Sequence, residues 1–378
     1  MIAETGTSRG EAGDAVRILA LAPVRAYGGF NTSRHRVEAF KAIGCVVDVV
    51  DTTPEPGAGL SRLAGKIRSH LFKMGFAVYA RSDPRVMRDV EAVGSAKSYD
   101  VIWLDKALRL DDADLRRLRS LFPGALLVGF SPDDMNARHN QSMQFVRALP
   151  HYDLFVTTKS YNVAELRQMG APDVLFVGNG FDRCAFKPRE VSAQDRLRLG
   201  GEVGFIGSYE SERARSILFL AENGIDVRVW GDGWESCPFS HPRMHIEYRP
   251  LFGEDFSRAC CSFKINLGFL RKINRDRQTT RSVEIPACGA FMLAERTDEH
   301  LALFEEGVEA EFFSSDMELL EKCRRYLADD NARAAVAEAG LQRCTQSDYT
   351  NEGRMRAILD YLAEITMSIL ARMKAKKP

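Results

Sequence analysis

From Val16 onward, the hydrophobic and polar positions fall into two alternating patterns. Short runs of Val, Ile, Leu and Phe end in Gly or polar turns, and each is followed by a longer stretch with helical apolar spacing. In the first half the runs predict strands at 16–22, 46–51, 101–104, 125–129, 154–157 and 174–177, with helices at 33–43, 112–121, 141–148 and 161–169. A charged stretch with Pro188, residues 182–201, reads as an interdomain linker. A second series then predicts strands at 203–206, 227–230, 245–248, 263–267, 289–294 and 310–313. Its helices are expected at 210–223, 253–261, 281–287, 299–304, 316–327 and 331–340, with a final amphipathic helix over 351–373. Strand–helix alternation of this kind builds parallel sheets covered on both faces. The expectation is therefore an α/β chain of two doubly wound, Rossmann-like domains and a closing helix: 1–15 a disordered polar leader, 16–186 and 187–345 the domains, and 346–373 the helix.

Composition narrows the function classes. The 378 residues are 45% hydrophobic and 28% charged, enough for two cores. Lys+Arg and Asp+Glu are both 52, so there is no basic excess of the kind nucleic-acid binding needs. The eight cysteines (Cys45, Cys184, Cys237, Cys260, Cys261, Cys288, Cys323, Cys344) form no spaced ligand pair, which argues against a zinc site and fits a reducing cytoplasm. The N-terminus lacks a signal-peptide core, and no apolar run is long enough to span a bilayer. The segment 61–88 is basic and amphipathic; it suits either a peripheral contact with anionic lipid or a helix covering the first sheet, and the latter is preferred.

In doubly wound sheets ligands bind beyond the carboxyl ends of the strands, so chemistry is sought in those loops. After the first strand, AYGGFNTSRHR offers Gly28 and Gly29 for close backbone approach, Thr32 or Ser33 as a helix cap, and His35 as a base or phosphate contact. Lys106 follows the third strand. FSPDDMNARHN places Asp133 and Asp134 at the next strand end, either as sugar-hydroxyl contacts or a base, or as a helix cap. VGFIGSYESERAR turns at Gly207 and Ser208 into a helix carrying Arg213, with Ser208 or Ser211 as cap, a combination suited to a diphosphate. RKINRDRQTTRSVE is the densest: Asn274, Arg275, Asp276, Thr280 and Arg281 precede Glu284 in the first turn of a helix. Glu284 suits the two hydroxyls of a ribose, or serves as a capping-box residue; a single cap leaves the rest of the loop unexplained.

Taken together, VIWLDKALRL, GFSPDDMNARHNQS, YDLFVTTKSYNVAELRQMGAPDVLFVGNGFD, VGFIGSYESERA, NRDRQTTRSVEIPACGAFMLAERTDEH and YLADDNARAAVAEAG resemble the CgeB-like glycosyltransferases (spore-maturation-protein type) of the GT-B superfamily, over nearly the whole chain. The resemblance implies a GT-B fold, a nucleotide-diphosphate sugar as donor held by the second domain, and no required cofactor or metal. It also implies a glycan, lipid-linked or protein acceptor on the first domain, a cytoplasmic setting, and a crossover helix with Tyr349 and Arg354 near its start. Glu284 matches the second of two family glutamates seven residues apart; Asp276, one methylene shorter, stands at the first and is expected to contact the transferred sugar. Gly207, Ser208 and Arg213 match the diphosphate loop, and Asn179–Asp182 the segment that opens the linker. A base, if used, is expected among His35, Asp133 and Asp134. A nucleotide-sugar epimerase and a non-catalytic sugar-binding morphogenetic protein remain the alternatives on this architecture.

Overall fold

A computed structural model describes residues 15–26, 31–54, 63, 64, 67, 84–94, 97–106, 108 and 110–375. The leader, Gly28 and Gly29, and most of 61–88 lie outside the described residues.

The first domain is a six-stranded parallel sheet in the order β2-β1-β3-β4-β5-β6: β1 (Arg17–Ala22), β2 (Val46–Asp51), β3 (Val101–Asp105), β4 (Leu126–Ser131), β5 (Leu154–Thr157) and β6 (Val174–Phe176). Alternate residues of each strand feed opposite faces. Leu19, Leu21, Ile102 and Leu104 enter one core, and Ile18, Ala20, Val101 and Trp103 the other. Among the described residues of this half, five helices flank it: α1 (Thr32–Ala42), α2 (Pro84–Gly94), α3 (Asp112–Leu121), α4 (Met143–Ala148) and α5 (Asn162–Gln168). Helix α2 buries Val86, Met87 and Val90 against the sheet.

The second domain repeats the plan in the order β12-β11-β10-β7-β8-β9: β7 (Gly201–Ile206), β8 (Val227–Trp230), β9 (Met244–Ile246), β10 (Phe263–Gly268), β11 (Met292–Glu295) and β12 (Glu311–Phe313). Its helices are α6 (Ala193–Leu199), α7 (Ser211–Glu222), α8 (Gly253–Ser262), α9 (Arg281–Ala287), α10 (Asp298–Leu303), α11 (Asp316–Ala328) and α12 (Asp330–Gln346). The stretch expected to be linker thus contains a helix, started by a capping box in which Ser192 accepts from the Asp195 amide and Asp195 accepts in return.

The chain crosses between domains twice, and the two crossings touch. The Phe181 amide donates to Tyr349 O at 3.1 Å, and the Asn351 amide to Phe181 O at 2.8 Å. Helix α13 (Asn351–Ala375) then returns to the first domain, where Met355, Ile358 and Leu362 complete the core that holds Trp103. Among the described residues no helix is long and apolar enough to cross a membrane.

Acid should weaken an ion-pair network in the second domain. Arg296 holds Glu306 and Glu318, and Lys322 reaches Glu306 and Glu311. The Glu318 carboxyl is held down to about 2, chiefly by its hydrogen bond from Arg296. A depressed carboxylate stabilises the fold above its unfolded value near 4.5 and loses that contribution as pH falls toward 2. Glu318→Gln should therefore be less stable than wild type at neutral pH, by under about 1 kcal/mol for so exposed a pair. Its melting temperature should also fall less steeply across that acid window in a circular-dichroism titration.

Candidate active site

Each sheet reverses its strand order between neighbouring strands, β1 and β3 in the first and β7 and β10 in the second, and doubly wound sheets bind ligands at such points. The loops beyond these strands face one another across a cleft of about 490 Å³. The first domain supplies Pro23, Asn31–Ser33 and Lys106; the second supplies Gly207, Ser208, Trp230–Asp232, Pro250–Phe252 and Arg281. An adjoining cavity of about 250 Å³ adds His35, Phe186, Phe256, Thr280 and Glu284.

The first-domain wall is set by a buried charge. Asp105, fully buried at the end of β3, accepts from Ser33 Oγ (2.9 Å) and from the Arg36 fork (2.7 and 2.8 Å), which pins α1 beneath the cleft. Asn31 caps α1 by accepting from the Arg34 amide; Thr32 and Ser33, expected as caps, lie inside the helix. Lys106, next along, has a φ of 53°, a left-handed conformation that costs a non-glycine residue about 1 kcal/mol. Its ammonium lies 3.2 Å from Asp133.

The second-domain wall depends on two glycines. The Gly207 amide donates to Trp230 O (2.8 Å), and Trp234 Nε1 donates to Gly207 O (2.9 Å). A Cβ on Gly231 would lie 1.9 Å from Gly207 O, against backbone that cannot yield. Gly231→Ala should cost about 3 kcal/mol and distort this wall, read by denaturant unfolding and by lost nucleotide binding. Helix α7 begins at Glu210, which makes no side-chain cap bond; neither Ser208 nor Ser211 caps it.

Arg281 and Glu284, one turn apart on α9, form an ion pair, with Glu284 buried and the guanidinium 4.0 Å over the Phe256 ring. Arg281 lines both cavities, and Glu284 lines the smaller one. Between the domains Lys159, from the loop after β5, meets Asp276 at 2.5 Å; both side chains are almost fully buried, and neither is among the residues that line the two cavities. Burial pushes the Asp276 carboxyl above its ordinary value, and the nearby Lys159 and Arg271 offset this only in part. Burial also acts to raise Asp133, but Lys106, Lys159 and Arg271 hold it below the usual range.

Several sequence expectations change here. Arg213 turns away from the cleft. It is buried, donates to Ser208 O at 3.0 Å and, at longer range, to Leu270 O and Phe269 O, and lines a separate cavity with Phe269 and Glu295. It shapes the Gly207–Ser208 turn rather than meeting a diphosphate. Asp134 is fully buried, with both oxygens held by Arg275 and Oδ1 also by Asn162 Nδ2, bonds that favour its charged form and make it a poor proton acceptor. Asn274 and Arg275 contact the first domain rather than the open cleft. Gly207, Ser208 and Arg281 line the main cleft, while His35, Thr280 and Glu284 line its extension. Lys159 was missed, although TTKSYN at a strand end is the kind of polar turn that marked the other loops.

Residues 213–360 match the family model described as "Glycosyl transferase-like". The match covers under half of the chain, and over that stretch the sequence is similar to this family. No curated protein matches the sequence. The whole chain is similar in structure to the sucrose-phosphate synthase of Thermosynechococcus elongatus, at 13% identity and TM-score 0.62, covering 93% of this chain and 100% of that one. It is similar to HepE of Anabaena in complex with UDP-glucose, at 16% identity and TM-score 0.60, covering 92% and 99%. A glycosyltransferase of Rickettsia africae gives 12% identity and TM-score 0.60, covering 94% and 99%. At these identities the likeness is one of fold. The fold is GT-B, and the matched stretch holds β8–β12, α9 and the start of the crossover helix.

Proposed function

We propose that the chain transfers a sugar from a nucleoside-diphosphate sugar to an acceptor hydroxyl, without a metal, in the manner of the CgeB-like enzymes its motifs resemble. The observation that carries this reading is the cleft between the two strand-reversal points, with the Gly207–Ser208 turn and the Arg281 guanidinium on the second-domain wall, the Lys106 ammonium on the first-domain wall, and the buried Glu284 carboxylate in its extension. HepE, which shares the fold, was solved with UDP-glucose, and this supports a nucleotide-sugar donor.

In this reading the Gly207–Ser208 turn, Arg281 and Lys106 stabilise the diphosphate as the bond from the anomeric carbon to its oxygen breaks. This role passes to Arg281 and Lys106 from Arg213. Glu284 accepts from the ribose hydroxyls. Asp276, held by Lys159, faces the positive character that grows at the anomeric carbon, while Thr280 helps to orient the donor. The acceptor oxygen bonds to that carbon and gives its proton to Asp133 or His35 on the first domain. The acceptor is a glycan, lipid-linked or protein hydroxyl of the cell envelope, met on the cytoplasmic side or peripherally at the membrane.

A thermal-shift panel of UDP, GDP and their sugars tests the donor. A ligand at a hundred times its dissociation constant should stabilise the fold by about 2.7 kcal/mol. No shift with any nucleotide would overturn the reading. Incubation with the bound sugar nucleotide alone should give slow hydrolysis, whereas an epimerised donor would point to isomerase chemistry. Turnover should survive EDTA; its loss and recovery with added divalent ion would sink the metal-free mechanism.

A further inference from the structure

The loop before α9 reaches across from the second domain to the loops after β4 and β5 of the first. At its tip Arg275 has a φ of 48°, a left-handed conformation that leaves its side chain pointing into the first domain. Its guanidinium takes two carboxylates at once. Nε and Nη2 donate to Asp134 at 2.6 and 2.8 Å, and Nη1 and Nη2 donate to Glu165, both at 2.9 Å. The same group stacks 4.4 Å above the Tyr161 ring. The neighbours on either side are also held: Asn140 Nδ2 donates to Asn274 Oδ1 at 3.0 Å, Tyr161 donates its hydroxyl hydrogen to Asn274 O, and Asp276 meets Lys159.

We infer that Arg275 is a positioning residue: its fork on Asp134 and Glu165 latches the second domain to the first and holds Asp276 on Lys159 between the domains. The inference rests on the reading of Asp276 as a contact of the transferred sugar. Three features carry it. A planar five-donor fork satisfies two carboxylates together, which an ammonium on a flexible stem does not. Asp134 is fully buried, so moving Arg275 away leaves a desolvated carboxylate without its cation. The strained backbone at 275 places the fork and the Asp276 carboxyl on consecutive residues, so the latch and the sugar contact move together. Arg275 itself is half exposed, which separates its role from core packing and lets its variants fold.

The test compares wild type, Arg275→Lys, Arg275→Ala and Glu165→Gln as full chains. Calorimetry with UDP and GDP reads nucleotide affinity, and donor hydrolysis reads turnover. Amide exchange over 274–278 and small-angle scattering read the latch without any chemistry. Arg275→Ala should keep its nucleotide dissociation constant within about threefold of wild type, lose about tenfold or more in kcat, exchange faster at 274–278 and show a larger radius of gyration. Glu165→Gln should fall between, and Arg275→Lys should recover less than half the lost rate. Wild-type turnover and unchanged exchange in Arg275→Ala would overturn the latch. So would equal losses of nucleotide affinity and kcat with a lowered melting temperature, the pattern of a general structural defect. If wild type binds no nucleotide, the donor reading fails instead, and exchange and scattering alone decide the latch.

Discussion

Glu284→Ala is expected to weaken nucleoside-diphosphate binding about 10- to 100-fold, measured by calorimetry with the nucleotide that gives the largest thermal shift. Glu284 is buried in the first turn of α9 and its carboxylate is paired with Arg281. Hydrogen bonds to a charged group contribute about 1.5–3 kcal/mol, and each 1.4 kcal/mol is a factor of ten. The alanine also frees Arg281, which is held by that carboxylate and by the Phe256 ring, to swing out of the diphosphate wall. Affinity and turnover should therefore fall together. Glu284→Gln keeps the shape and one acceptor and should lose less. A Glu284→Ala protein that binds nucleotide as tightly as wild type would remove the ribose role.

Asp276→Asn should act differently: kcat falls about 100-fold while nucleotide affinity stays close to wild type. The carboxylate is paired with Lys159 between the domains rather than set in the nucleotide wall, so in the proposed mechanism its charge matters as the anomeric carbon becomes positive. The group must be ionised to act, and burial raises its pKa above the ordinary carboxylate value. As pH falls through that raised value the carboxylate protonates and kcat drops, so the acidic limb of the wild-type profile should flatten in Asp276→Asn. The effect on stability has the opposite sign. A carboxyl raised in the folded state favours folding below its unfolded pKa and loses that contribution as pH rises through the folded value, so at neutral pH its ionised form costs the fold something. The variant removes that cost but leaves Lys159 with a weaker partner, and a melting curve beside the kinetics separates a chemical loss from an unfolding one. Unchanged kcat in a folded Asp276→Asn would overturn the sugar contact.

Much of the fold was legible because buried parallel strands read as nearly continuous apolar runs. The strands at 46–51, 154–157 and 227–230 and the helices at 112–121 and 281–287 coincide with the expectation to the residue. Departures have local causes. Helix α6 was read as linker because its charged surface hides a capping box. Helix α12 continues past Gly340, which the sequence suggests as a stop. There the absent side chain lets the helix approach Glu309 O, which a Cβ would meet at 2.5 Å. The site was legible as a set of loops and not as a set of partners. Strand ends pointed to Gly207, Asp133 and Glu284, but the pairing of Arg275 with Asp134 spans 141 positions and leaves no spacing to read. Arg213 illustrates the same limit: a cation at a Gly-Ser turn looks like a phosphate ligand until the carbonyls of Ser208, Phe269 and Leu270 are seen to take its donors.

Helix α13 has a consequence for how the polypeptide reaches its final shape. Because Met355, Ile358 and Leu362 share with α1 the core on one face of the sheet begun at Arg17, the first half buries that face only in part while the ribosome is still making the second. Synthesis from the N-terminus leaves an apolar surface open until the last turns emerge, a window in which chaperones or aggregation compete for it. A fragment ending at the linker would carry that uncovered surface permanently, so the two halves should mature as a single cooperative unit and not as separable modules.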